Sequence, residues 1–388
     1  MGSNQFRIIV GSYEHNLLCL SLNLDLSTPL FTPIFHFQAH ILSIKCLDIS
    51  KRYLVSGSND EHIKIYDLQK RKELGTLLNH NGSITTLRFS RSKVTEESPT
   101  ATTKWMLSAS EDNKIIIWRV KDWENFATLT GHTGRINDLD IHPSGRVAVS
   151  VSEDHSIRLW NLMTARKAAV LKLRKYNQNG QFVRWCGNDG EFFVVGLKTK
   201  VLLFNTATAK VHREIDMGKK TVMHLEVATI DSKEYFCIGT SDGKVEFWET
   251  KKLYEEVKED DEDTEPEFFL QGHSNRVKDF KFYKNEFGHY LVTISSDGKV
   301  VVWDMATKEQ TAVYDCGERL NCLAVCDESI EKYETVRKRT AEVAGNDEQS
   351  EVEADGEDLK RIMLGKKTKK SKKAAKGAKS KKVSIELE

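Results

Sequence analysis

The chain of 388 residues, 39% apolar, is long enough to bury a large core, and its 58 Lys plus Arg against 57 Asp plus Glu conceal a strong segregation of charge. The seven Cys exclude a zinc module: Cys322 and Cys326 form one step without a second pair or a nearby His, and most others lie in apolar runs such as "NLLCLSL" and "YFCIGT". Reduced thiols, no signal-peptide pattern and no apolar stretch approaching about 18 residues lead to the expectation of a soluble intracellular protein without a membrane span.

In chain order, "RIIVGSYEHNLLCLSL" reads as two strands around a turn, with Ser12, Glu14 and Leu20 at a spacing that recurs later, but no strand precedes it. Short Val-, Ile-, Leu- and Phe-rich runs bounded by turn residues follow, such as "IKCLDIS", "YLVSGS" and "IKIYDL", and read as further strands. They group into units from about His40 to Leu78, His80 to Leu129 with an insertion at 91–104, and His132 to Leu171. A degenerate unit at about 177–215 has Gly196, Lys198 and Phe204 at otherwise conspicuous places; units at 219–270 and 273–315 follow, and "RLNCLAV" at 319–325 is a lone strand.

Five of these units place an Asp six residues before a large aromatic, with Ser or Thr two residues before the Asp: Ser58/Asp60/Tyr66, Ser110/Asp112/Trp118, Ser152/Asp154/Trp160, Thr240/Asp242/Trp248 and Ser295/Asp297/Trp303. Four are preceded by a His at a turn, namely His40, His80, His132 and His273. Such a set can close a hydrogen-bond chain in a poorly solvated place. A catalytic Ser-His-Asp triad uses the same residue types, but a nucleophile is needed once and this set recurs. The repeat predicts an all-β, seven-bladed WD40 β-propeller over residues 1–326, with the N-terminal strands and the lone C-terminal strand completing one blade. No P-loop, metal cluster or nucleophile motif is present, so no catalytic residue, cofactor or metal is assigned and the expectation is not an enzyme.

For His and Asp to bond, the turns that carry them must share one end of each blade. The insertion 91–104, the acidic loop 250–267 and the C-terminal tail then leave from the other end. The short-loop face becomes the candidate partner face: Arg135 and Arg276 each follow a turn His by three residues, and Asn59, Glu111, Glu153, Ser241 and Ser296 each precede the motif Asp.

Residues 327–388 read as a charged, largely disordered tail, acidic over 342–358 and then basic over 360–382. Lys366, Lys367, Lys369, Lys370, Lys372, Lys373, Lys376, Lys379, Lys381 and Lys382 suit nuclear import, nucleolar retention or contact with RNA phosphates; a solubilising role is the alternative.

"GHTGRINDLDIHPSGRVAVSVSEDHSIRLWNLMTARKAAVLKL", the opening "IVGSYEHNLLCLSL", "QFVRWCGNDGEFFVVG" and the Lys-rich end resemble the WD-repeat PAK-interacting protein family, including its fungal maintenance-of-killer type of ribosome-assembly factor. The resemblance implies a nucleolar protein acting in large (60S) subunit maturation and ribosomal RNA processing, and in some members binding and negative regulation of p21-activated kinases. The expected partners are pre-60S assembly factors or ribosomal proteins, ribosomal RNA through the tail, and a p21-activated kinase in the second reading; the chain would act as a monomer within a large complex. A ubiquitin-ligase receptor is a third class, but Trp-Asp-x-Arg is missing from "YDLQ", "WRVK", "WNLM", "WETK" and "WDMA".

Overall fold

The computed structural model describes residues 3–26, 28–90, 103–187, 190–254 and 265–331. The described residues form seven antiparallel sheets of four strands, and the innermost strand of each sheet touches the innermost strands of both neighbours in a closed circuit. This is a seven-bladed β-propeller. Strands are named a to d from the axis outward.

Each blade is packed on both faces by its neighbours, so the core is a series of layers between blades. The layer between blades 4 and 5, for example, contains Val149, Val151, Val183, Trp185, Phe193 and Phe204. That sandwiching explains why the middle strands read as continuous apolar runs: in Lys299–Asp304, strand c of blade 7, every residue between the two ends is buried. Strands d lie at the rim and alternate, as in Arg166–Lys172 of blade 4.

The ring closes as the sequence predicts. Strand a of blade 1 is the C-terminal Leu320–Asp327, paired with strand b, Gln5–Ser12, from Phe6 opposite Asp327 to Ser12 opposite Leu320. Strands c and d, Asn16–Asn23 and Leu30–Gln38, complete the blade. The described chain stays attached past the expected boundary at 326. Buried Arg7 bonds Glu328 at 2.7 Å and Glu331 at 3.0 Å, and Glu331 also meets Arg71 at 3.0 Å. A chain ending at 326 would bury the Arg7 guanidinium without these counter-charges, a costly arrangement.

The insertion expected at 91–104 leaves between strands a and b of blade 3, Ile84–Phe89 and Trp105–Ser110; residues 91–102 lie outside the described residues. The acidic loop expected at 250–267 begins instead as a short helix, Thr250–Tyr254, because Leu253 is buried and Tyr254 stacks on Phe192 of blade 5 with ring centroids 4.1 Å apart. Residues 255–264, and the tail from 332 onward with all ten of its named lysines, lie outside the described residues.

Candidate partner-binding face

The predicted His–Asp contacts are present in four blades and fix which turns share a face. His Nδ1 meets the carboxylate at 3.0 Å in His40–Asp60 and His80–Asp112, 2.8 Å in His132–Asp154 and 3.2 Å in His273–Asp297. Each Asp also accepts the backbone N–H of the residue after the His, from Ile41, Asn81, Thr133 and Ser274. The residue following the Asp takes positive φ in all five motif blades: Glu61, Asn113, His155, Gly243 and Gly298. At Gly243 a Cβ would also lie 2.3 Å from the His273 carbonyl oxygen, so this turn requires glycine.

The hydroxyl that closes the chain differs from the expected one. His Nε2 meets Ser56, Ser108, Ser150 and Thr293 at 2.7, 2.8, 2.8 and 2.9 Å, four residues before each Asp. Trp118 and Trp160 donate their indole N–H to Ser108 and Ser150 at 2.8 Å, and Trp303 donates to Thr293 at 3.3 Å. The expected Ser58, Ser110, Ser152 and Ser295 instead accept the Asp backbone N–H at 3.2 Å, and the first three donate to carbonyls of the preceding turn. The reason is the two-residue period of a strand: both positions point the same way, but only the inner one lies beneath the imidazole.

Blade 6 departs further. No His precedes it, Ile238 occupies the inner hydroxyl position, Thr240 bonds Asp242 and the Lys244 carbonyl, and the buried Trp248 indole N–H has no partner. Blade 2 has Tyr66 in the tryptophan place.

These chains stabilise turns and are closed to a substrate. Ser56, Ser108 and Ser150 are fully buried, and the last two already hold an indole N–H. Burial pushes the imidazoles of His40, His132 and His273 below their usual pKa, so Nδ1–H donates to Asp while neutral Nε2 accepts the hydroxyl proton. Asp60, Asp112 and Asp154 are partly desolvated, which acts upward, yet their His and backbone N–H donors hold them below the usual carboxylate range.

The inner strands carry a second polar system, separate from the repeated motif. Glu226 of blade 6 is met by Arg88 at 3.2 Å, by Arg184 at 3.1 Å and more closely by Lys281; Asp138 is met by Arg184. Asp279 meets His224 at 3.0 Å and Lys281 at 3.8 Å. Ligand atoms of His224, Glu226 and Asp279 lie within 4.8 Å of one another, a spacing suited to a cation, and the Lys281 ammonium already sits against two of them. Inner-strand carboxylates also accept backbone N–H groups of the next blade: Asp48 from Phe89 at 2.7 Å, Asp140 from Trp185 at 2.9 Å and Asp279 from Leu323 at 2.9 Å. A cavity of about 130 Å³ is lined by members of this network, among them Arg88, Arg184 and Lys281, and by Lys45, Asn137 and Lys278.

The seven candidate partner-face residues do not form one uniform surface. Arg135 is held between Glu153 at 3.0 Å and Glu111 at 3.5 Å, so this cation is already neutralised. Asn59 donates to Ser43 Oγ at 2.7 Å, Ser241 Oγ accepts the Thr221 N–H at 3.2 Å, and the Ser296 hydroxyl is buried. Arg276 is exposed and, among the described residues, lies in no ion pair.

A family model described as WD domain, G-beta repeat matches residues 31–67, 71–119, 123–161 and 264–304, the blades where the polar chain is most complete. Protein MAK11 of Saccharomyces cerevisiae is 62% identical over 407 residues, covering 99% of this chain and 98% of that one. A p21-activated protein kinase-interacting protein 1-like chain of Gallus gallus is 32% identical, covering 81% of this chain and 79% of its own length. The chain belongs to the WD-repeat family of p21-activated-kinase-interacting proteins. A more distant relative, Shk1 kinase-binding protein 15 of Schizosaccharomyces pombe, is 24% identical over 82% of this chain. Family membership accounts for the propeller, whose polar chains hold Ser56, Ser108 and Ser150 away from solvent.

Proposed function

We propose that the protein is a non-enzymatic scaffold in nucleolar assembly of the large ribosomal subunit and in ribosomal RNA processing. In this reading the quartet-bearing face binds assembly factors or ribosomal proteins, and the basic tail contacts ribosomal RNA. The observation that carries it is the near-full-length similarity to the yeast protein at 62% identity, which extends through the Lys-rich end, joined to the ribosome-assembly role that the family resemblance implies for fungal members. Tagged full-length protein is expected to co-sediment with large-subunit precursors and recover their RNA, and its depletion to accumulate unprocessed precursor. Sedimentation free of precursors, with processing intact on depletion, would overturn the reading.

The tail's block of twelve Lys or Arg over 360–382 contains no aromatic on which a base could stack, so it fits phosphate contact without sequence readout. With about six contacts, the log–log salt slope on single-stranded RNA is expected near −4, at roughly −0.7 per contact. Residues 360–382 fused to an inert reporter are expected to carry it into the nucleus.

A second reading, negative regulation of a p21-activated kinase through direct binding, is favoured by the names of the Gallus gallus and Schizosaccharomyces pombe relatives. Capture of a purified kinase by the purified protein, with loss of kinase activity, is its test.

A further inference from the structure

Over blades 3 and 4 of the quartet-bearing face, Glu111 and Glu153 enclose Arg135. Over blades 7, 1 and 2 the cations stand apart from carboxylates. Lys45 and Lys278 lie at the channel mouth, on the inner strands Ile44–Ser50 and Val277–Lys284, with Arg276 and Arg319 on adjoining turns. Among the described residues none of these four cations is in an ion pair. Lys278 is half-buried, and that burial, with the nearby charges of Arg276 and Lys45, pushes its ammonium below its usual pKa. The neighbouring carboxylate of Glu318 is already engaged, by the Asn16 amide at 2.8 Å and by His36 at 3.2 Å. Like charges left facing one another without a counter-ion create a positive potential that an incoming carboxylate would relieve.

The same sector exposes three apolar side chains, Tyr13 at 53%, Ile41 at 71% and Leu42 at 46%. Ring closure brings them beside the cations. The Tyr13 N–H donates to the Arg319 carbonyl at 2.7 Å, and the Asn321 amide of blade 1 donates to the Ile44 carbonyl of blade 2 at 3.0 Å. Exposed Glu14 and Glu61 stand on the b–c turns of blades 1 and 2, Glu14 next to Tyr13 and Glu61 next to the Asp60 that accepts the Ile41 N–H, so the sector's carboxylates lie on those turns while its cations lie at the mouth. The cavity at the mouth, about 130 Å³ and floored by the charge network, is too small for a peptide segment, so a ligand of that size must lie across the rim.

We propose that Tyr13, Ile41, Leu42, Lys45, Arg276 and Lys278 form a docking sector for an acidic peptide segment of a partner protein, its carboxylates meeting the cations and an apolar side chain packing on Ile41 and Leu42. This deepens the scaffold reading and rests on it. Charge complementarity selects an acidic partner, and the apolar pair selects a peptide over RNA, because phosphates have no use for two aliphatic side chains and Tyr13 alone is a poor stacking platform.

The test uses full-length protein and a short labelled peptide of Glu and Asp containing two Leu, followed by fluorescence anisotropy. Lys45→Glu with Lys278→Glu is expected to weaken binding by about tenfold or more, as is Ile41→Ser with Leu42→Ser, whereas Arg135→Glu leaves it within about twofold. A Lys-containing version of the peptide is expected to bind the Lys45→Glu/Lys278→Glu protein better than the wild type, a rescue that an unfolded variant could not give. The proposal is overturned if the wild type does not bind the acidic peptide, if Arg135→Glu is as damaging as the sector variants, if replacing both Leu of the peptide by Ser changes nothing, or if single-stranded RNA displaces the peptide from the same residues. Co-sedimentation with large-subunit precursors is read separately. Wild-type protein that co-sediments but ignores the peptide sinks the sector alone, and protein that binds the peptide but never meets precursors sinks the ribosomal assignment alone.

Discussion

Blades 4 and 5 are adjacent, share one topology and are held by different chemistry. Blade 4 has the full chain of His132, Asp154, Ser150 and Trp160. Blade 5 has Gly196, Lys198 and Phe204 at the corresponding places and no turn His. Its rings substitute: Phe193 stacks on Phe204 with centroids 5.0 Å apart and packs edge-on to Trp185 at 5.4 Å. The turns are still tied, but by an amide, since Gln178 Nε2 donates to Thr199 Oγ1 at 2.8 Å and Gln178 Oε1 accepts the Thr199 N–H at 3.1 Å. What a blade requires is that its b–c turn be fastened to the preceding d–a turn and its faces be filled; the residues that achieve this are interchangeable.

The largest expected effect tests the apolar side of that comparison. Phe193→Ala should cost about 3–5 kcal/mol, because the ring is fully buried between Trp185 and Phe204 and the blade lacks the His–Asp chain. Denaturant unfolding of the ring is the measurement. A loss smaller than that of the blade 4 variant below would show that blade 5 does not depend on its rings.

Asp154→Ala should cost about 1–3 kcal/mol, since His132 and the Thr133 and Ser156 backbone N–H groups lose their common acceptor. Lys198→Ala, at the matching place in blade 5, should stay within about 0.5 kcal/mol. Equal falls in melting temperature for the two would remove the distinction between the blades.

The aromatic–Asp spacing made the ring, its blade borders and its closure legible, because each repeat must solve the same local turn problem. The choice of hydroxyl is not legible in the motif itself, for a physical reason. "YLVSGSND", "MLSASED" and "VSVSED" have Ser at both the inner and the outer position, and a two-residue period gives no preference between them. Blade 6 held the missing signal: "CIGTSD" keeps the outer Thr240, lacks the inner hydroxyl at Ile238, and also lacks the His, so it is the inner position that goes with the His. The channel network was harder to read. "NDLDIH" and "KDFKF" show charges at alternate strand positions, but that Arg88, Arg184 and Lys281 converge on Glu226 depends on four different blades meeting at one axis. The neutralised Arg135 and the unpaired Arg276 looked equivalent in sequence for the same reason: which carboxylate faces a side chain across a blade boundary is a tertiary fact.

The smallest effect lies on the boundary between the two blades. Asp140 stands on the inner strand of blade 4 and accepts the Trp185 N–H of blade 5 at 2.9 Å. Burial, opposed by the charge of Arg88 and reinforced by Glu226 and Asp138, pushes its carboxyl up to about 7. An acid whose folded pKa lies above its unfolded value adds stability that is full below the unfolded pKa, near 3.8, and is lost as pH rises through about 7. The depressed pKa values of His132 and Asp154 act in the opposite sense, contributing stability above their unfolded values that is lost as pH falls through and below them. The wild-type pH profile therefore mixes both blades' chemistry, whereas the difference between Asp140→Asn and wild type isolates one group. Asn retains an oxygen for the Trp185 N–H and carries no charge to desolvate. The variant's melting temperature, relative to wild type, should be higher by a few degrees at alkaline pH, with the advantage shrinking as the pH is lowered from about 8 to about 5, through the folded pKa. A difference that stays flat across that window would mean that Asp140 is ionised throughout, held by Arg88, and that the polar join between the blades is an ion pair rather than a neutral hydrogen bond.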